Sequence, residues 1–219
     1  MSKMNSRILS TIFRYLKTRP TFESVGIKPY RRLLEKSAAA FKPTGNIVCE
    51  DFNISHIPAR WLTPLQREDK RTILYVHGGG YIGGSMNSHR DLASRIADAA
   101  NARLLIFNYR LAPENPFPDG LDDAKTVYQW MLDHTTTGHR ICLIGDSAGC
   151  GLILALLSLV LKEKMPTPAC TVLISPWIDL ECKNPSHSLN KDKDPMLSPD
   201  VLKKTARLYT DQDLTLPLV

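Results

Sequence analysis

Short, almost wholly apolar runs, Ile73-Leu74-Tyr75-Val76 and Ile141-Cys142-Leu143-Ile144 foremost, alternate along this chain with longer segments of helical periodicity. A run that short, with no polar face, is what a strand covered on both sides looks like. Similar β-branched or apolar runs occupy residues 46–54, 57–62, 72–77, 103–109, 140–144 and 170–174. Helical patterns fill 88–100, 121–134 and 148–164 between the later runs. Alternation of this kind predicts βαβ units, hence a mostly parallel sheet with helices on both faces. The first two runs, joined by a short link, predict an antiparallel edge. Two helical segments, at 6–18 and 28–41, precede a Pro43-Thr44-Gly45 break. Beyond Trp177 the text turns polar over 182–193, then offers a last helix at 199–210.

At 219 residues the chain can bury one core. Its formal charge of +6 is spread along the sequence, with no aromatic-interleaved basic patch, so no nucleic-acid partner is expected. The longest apolar stretch, 151–161, is too short for a transmembrane segment and suits a buried helix. The five cysteines, Cys49, Cys142, Cys150, Cys170 and Cys182, contain no CxxC pair. They predict reduced, mostly buried thiols in a cytoplasmic protein, with no metal site and no cofactor. Residues 6–19 combine an apolar helical face with arginines and lysine and lack acids. The pattern admits a mitochondrial presequence, but an amphipathic helix packed on the protein is the expectation preferred here. The sequon at Asn53 is a lone match.

Two motifs carry chemistry. Gly145-Asp146-Ser147-Ala148-Gly149 falls where a buried strand ends and a helix begins. A serine on such a turn projects its hydroxyl above the sheet, and the helix directs N–H groups and its dipole at developing negative charge. Gly145, Asp146 and Gly149 form the elbow around Ser147. The second motif, His77-Gly78-Gly79-Gly80, directly follows another strand. Its glycines leave backbone N–H groups accessible to a substrate oxygen, and with the N–H of Ala148 they would make an oxyanion hole. No G-x-G-x-x-G or G-K-[ST] supports a phosphate loop instead.

These two motifs, together with Tyr109-Arg110-Leu111-Ala112-Pro113-Glu114 and Ser175-Pro176-Trp177, resemble in order and spacing the hormone-sensitive-lipase-like esterases, over nearly the whole chain. The resemblance implies an α/β-hydrolase fold with a helical cap. It implies that Ser147 is the acylated catalytic nucleophile, that Gly79, Gly80 and Ala148 donate to the oxyanion, and that His77 and Gly78 belong to the loop that holds them. It further implies N-terminal cap helices at 1–45, a hydrolase core at 46–182 and a second cap segment at 183–213. The substrate would be a small ester with a short-to-medium acyl group. Pro113, Pro116 and Pro118 stiffen the loop after the strand, and an Arg110–Glu114 ion pair is expected there. Cys150 stands where these esterases usually carry glycine, and is read as a small buried helix residue.

A serine nucleophile needs a base and an acid, in the order Ser, Asp or Glu, His for this fold. Both would lie beyond the last residue of this sequence. The one later histidine, His187, falls in the polar cap stretch, while Asp179, Asp192, Asp194 and Asp200 occupy cap or loop positions. His56, His89, His134 and His139 read as loop or helix-surface residues. The expectation is therefore a sheet incomplete at its C-terminal end, in a chain that continues past Val219. The alternatives are an impaired hydrolase that binds a small ligand, and a hydrolase-like receptor. An exposed sheet edge would favour a homodimer.

Overall fold

A computed structural model of the protein describes residues 21–66, 71–134, 137–194 and 196–212. The amphipathic stretch 6–19, its presequence alternative and the last residues of the chain lie outside these.

Six strands form one mixed sheet in the order β1-β2-β4-β3-β5-β6. β1 (Ile47–Ile54) and β2 (Ile57–Pro64) make the expected antiparallel edge, with Ile54 opposite Ile57 across the tight link. β2 also runs antiparallel to β4 (Arg103–Phe107). β3 (Thr72–Val76), β4, β5 (Ile141–Asp146) and β6 (Cys170–Ile174) are parallel to one another. Every side chain of β3 is buried, the consequence of an apolar run flanked by layers on both faces.

Seven α-helices occur among the described residues. α1 (Phe22–Val25) and α2 (Ile27–Ala38) precede the sheet; α3 (Arg90–Ala100), α4 (Asp119–His134) and α5 (Ala148–Lys162) are the crossovers. α6 (Pro185–Leu189) and α7 (Pro199–Tyr209) follow β6. α6 was not foreseen. Its signal is the side chain of Asn184 capping the Ser186 N–H ahead of Pro185, a start signature hidden in a polar stretch.

The larger hydrophobic cluster joins α4 and α5 to one sheet face through Leu74, Val76, Leu105, Phe107, Ile141 and Leu143. The smaller one joins α3 to the other face through Ile73, Tyr75, Leu104, Ile106 and Ile144. Of the cysteines, only Cys150 and Cys182 are buried, while Cys49 and Cys170 are exposed and Cys142 is half-buried. The expectation of mostly buried thiols is therefore corrected: Cys170 lies on the outer strand of the sheet, where nothing described covers it. None of the described helices is long and apolar enough to cross a membrane.

Candidate active site

The strand order sets β3 beside β5, with Val76 opposite Gly145. Both chain exits therefore emerge together. Gly145 and Asp146 end β5, Ser147 forms the turn, and Ala148 and Gly149 open α5. Ser147 sits at φ 50°, ψ −119°, a region costly for a residue with a Cβ. Three hydrogen bonds hold it there. Its N–H donates to the Ile174 carbonyl (3.0 Å), and its carbonyl accepts from Cys150 N–H and Trp177 N–H (both 3.1 Å). The Ser175–Trp177 segment thus acts as a brace for the turn. Gly149 is required by contact: a Cβ there would overlap the Val76 carbonyl oxygen. A Cβ on Gly145 would lie 2.7 Å from the Ile153 side chain. Cys150 is buried, as expected, and its thiol points at the Gly145 carbonyl (3.1 Å).

The loop after β3 is locked to the same elbow. Asp146 accepts from the Gly78 N–H (2.9 Å) and from the Tyr75 hydroxyl (2.7 Å) with one oxygen. Its other oxygen faces His89 Nε2 at 3.4 Å. Burial pushes the Asp146 carboxyl up, but His89, the Tyr75 hydroxyl and the Gly78 N–H outweigh burial and hold it below the ordinary carboxylate value. Gly78 tolerates no side chain, because a Cβ would overlap that carboxylate. Gly79 (φ 120°) and Gly80 (φ 65°) adopt left-handed backbone, which glycine enters without penalty. The turn bonds from Ile82 and Gly83 N–H converge on the Gly79 carbonyl. The Gly79 and Gly80 N–H groups lie outside that pattern, and Ala148, first in its helix, has no intrahelical acceptor.

His77 is fully buried between Tyr109 (ring centroids 4.4 Å apart) and His89 (5.3 Å). Its Nδ1 lies 2.8 Å from the Gly78 carbonyl. A carbonyl only accepts, so Nδ1 carries the proton of the neutral ring. Desolvation, helped by His89, pushes the His77 pKa down to about 3, so the ring is neutral near pH 7. The Tyr109 hydroxyl donates to the His77 carbonyl (2.9 Å). His77 supports the loop from beneath.

The expected Arg110–Glu114 ion pair does not form. Arg110 turns back onto Asp123 (2.9 Å) and Asp119 (3.1 Å) of α4, because Asp123 is buried and needs a cation. Glu114 instead meets Arg31 of α2 at 2.7 Å, and Arg31 also donates to the carbonyls of Ile82 (2.7 Å) and Ala112 (2.8 Å). Glu35, a turn further along α2, accepts from the Ser85 hydroxyl (2.6 Å). α2 is therefore pinned to the Gly-rich loop. On the other side, a Cβ on Gly80 would come within 2.9 Å of Thr205 in α7, and Tyr209 stacks on Tyr81 at 3.8 Å.

All nine residues singled out in the two motifs thus converge where β3 and β5 end. His89, read as a surface residue, belongs with them; its Nδ1 lies against Ser88 and the Ser85 carbonyl while Nε2 faces Asp146, a placement with no signature in periodicity. The remaining histidines stay apart. His56 pairs with Asp123 (3.1 Å), His134 stacks on Trp130, His139 lies near Thr137, and His187 faces Asp179 at 3.7 Å. No group of three or more His, Cys, Asp or Glu able to hold a metal occurs among the described residues.

Comparison with known proteins agrees with this fold. A family model described as the alpha/beta hydrolase fold covers residues 73–219. An acetyl-hydrolase of Streptomyces hygroscopicus is 39% identical over 187 residues, which is 84% of this chain and 61% of the relative. Human hormone-sensitive lipase is 32% identical over 155 residues, 68% of this chain and 14% of the lipase. The crystal structure of an esterase from the bacterial hormone-sensitive lipase family superposes with a TM-score of 0.91 at 35% identity, covering 100% of this chain and 73% of that one. The chain spans about three-fifths of the acetyl-hydrolase's length. Its sheet, its two motifs and these likenesses place the chain in the α/β-hydrolase fold, as a member of the hormone-sensitive-lipase-like esterase family.

Proposed function

We propose that this chain carries the nucleophile half of a carboxylic ester hydrolase acting on small esters. Ser147 Oγ attacks the ester carbonyl, giving up its proton to a base. The oxyanion rests on the N–H groups of Gly79, Gly80 and Ala148, the alcohol leaves, and water hydrolyses the acyl-serine. The observation that carries this reading is the strained Ser147 turn locked, through Asp146, to the Gly-rich loop. Strain maintained by three hydrogen bonds is characteristic of a site built to present a side chain. Relatives named acetyl-hydrolase and ethyl acetate hydrolase support a short acyl group.

In this reading the base and its acid are supplied from outside the 219 residues, and His187 is a partner of Asp179. Residues 1–45 and 183–213 act as the cap around a core at 46–182. The pinning of α2 by Arg31 and the seating of α7 against Gly80 support that division.

The test combines fluorophosphonate labelling with short-chain p-nitrophenyl ester assays. Labelling that Ser147→Ala abolishes is the expected result. A folded protein that takes no label overturns the esterase reading, and ligand binding without label would favour a binding module. Acting alone, the chain should turn esters over about 10⁴-fold or more slowly than a complete Ser-His-Asp enzyme.

A further inference from the structure

Two cysteines that the sequence separates by a whole crossover meet on the outer strand pair. Cys142 of β5 stands directly opposite Cys170 of β6. Residues paired this way share a face of the sheet, and neighbouring strands lie about 4.8 Å apart. That spacing falls inside the roughly 4.4–6.8 Å between Cα atoms that a disulfide spans. The two sulfurs are already 3.0 Å apart, so covalent closure needs about 1 Å of further approach. Cys170 is exposed and Cys142 half-buried, which orders the pair: one thiol that reagents reach and one behind it.

We propose that Cys142 and Cys170 form a redox-reactive dithiol, which a low-molecular-weight disulfide oxidises to a cross-strand disulfide between β5 and β6. The Cys170 thiolate attacks one sulfur of the reagent and expels a thiolate, leaving a mixed disulfide on Cys170. The Cys142 thiolate then attacks Cys170 Sγ and expels the second thiolate. Two electrons pass from the dithiol to the reagent, and the two thiol protons go to the two released thiolates. Burial, with a contribution from the neighbouring thiol, raises the Cys142 thiol above its ordinary value, so closure speeds up as pH rises. The bond ties β6 to the strand that carries the elbow, on the same ladder that ends with Asp146 opposite Ile174.

Exposed Cys49 would capture the reagent by itself, so the experiment uses Cys49→Ser protein. It is incubated with 2-hydroxyethyl disulfide at about pH 8, then denatured, alkylated and mapped by mass spectrometry. The expected result is loss of two of the four remaining thiols, a linked peptide pair containing Cys142 and Cys170, and recovery of both thiols with dithiothreitol. Adding Cys142→Ser should instead leave a stable mercaptoethanol adduct on Cys170. Retention of all four thiols overturns the proposal, as does a lasting adduct on Cys170 while Cys142 is present. If the serine variant misfolds by circular dichroism, Cys142→Ala supplies the same readout. Ester hydrolysis plays no part in the outcome.

Discussion

The two faces of the sheet are covered unequally. On one face α4 and α5 seal Leu74, Leu105, Phe107, Ile141 and Leu143, all at 0% exposure. On the other, α3 covers Ile106 and Tyr75 completely, but cover thins outward across β5 and β6. Ile144 is 8% exposed and Val172 45%. The elbow stands at the boundary. Its precision comes from backbone contacts and hydrogen bonds between β3, β5 and the Ser175–Trp177 segment, independent of how well the outer strand is covered. The nucleophile turn and the Gly-rich loop are fixed to each other by these contacts alone.

The largest effect expected from breaking this arrangement comes at Gly149. Alanine ordinarily strengthens a helix by about 1 kcal/mol relative to glycine. Here the added methyl would overlap the Val76 carbonyl, so Gly149→Ala should cost about 4 kcal/mol or more, read as a collapse of soluble yield or thermal midpoint. An unchanged midpoint would mean that α5 and β3 can separate. Next, Leu143→Ala on the sealed face should lose about 2–5 kcal/mol in urea unfolding.

A pH series sharpens the contrast further. The folded pKa of His77, about 3, lies below its ordinary 6.5, so between those values the unfolded chain binds more protons. Its contribution is complete above about pH 6.5 and is lost as pH falls toward 3, at about 1.4 kcal/mol per pH unit. Asp146, held low, adds acid loss only once pH passes below its ordinary 3.8. The urea midpoint should therefore begin to fall well above pH 4, and His77→Asn should flatten that slope. The smallest effect is expected at the thin edge, where Val172→Thr should change stability by less than about 0.5 kcal/mol. A cost approaching that of Leu143→Ala, growing with protein concentration, would reveal that this face pairs with a second copy.

Much of this was legible in the residues. Apolar runs such as Ile73–Val76 and Cys170–Ile174 fall within a residue or two of the strands, because a doubly covered strand has no freedom in its composition. The elbow was readable because glycine on both sides of a serine, at a strand-to-helix junction, is a local requirement. Arg110 shows where local reading fails. The expected partner, Glu114, lies four residues on in sequence, but buried Asp123 on α4 exerts the stronger demand, and Arg31 from α2 takes Glu114 instead. His89 and Tyr75 were missed as elbow contacts for the same reason: each reaches Asp146 only because the crossover brings α3 and β3 to it.

The fold class, the elbow and the Gly-rich loop can be read from the residues, since these depend on periodicity and on backbone conformations that few residues tolerate. Tertiary structure alone decided which charges pair, why His77 is neutral, how α2 and α7 grip the loop, and that Cys142 meets Cys170. Those outcomes depend on burial and on distances between segments far apart in the chain, where the cheapest partner for a desolvated group is set by what the fold brings within reach.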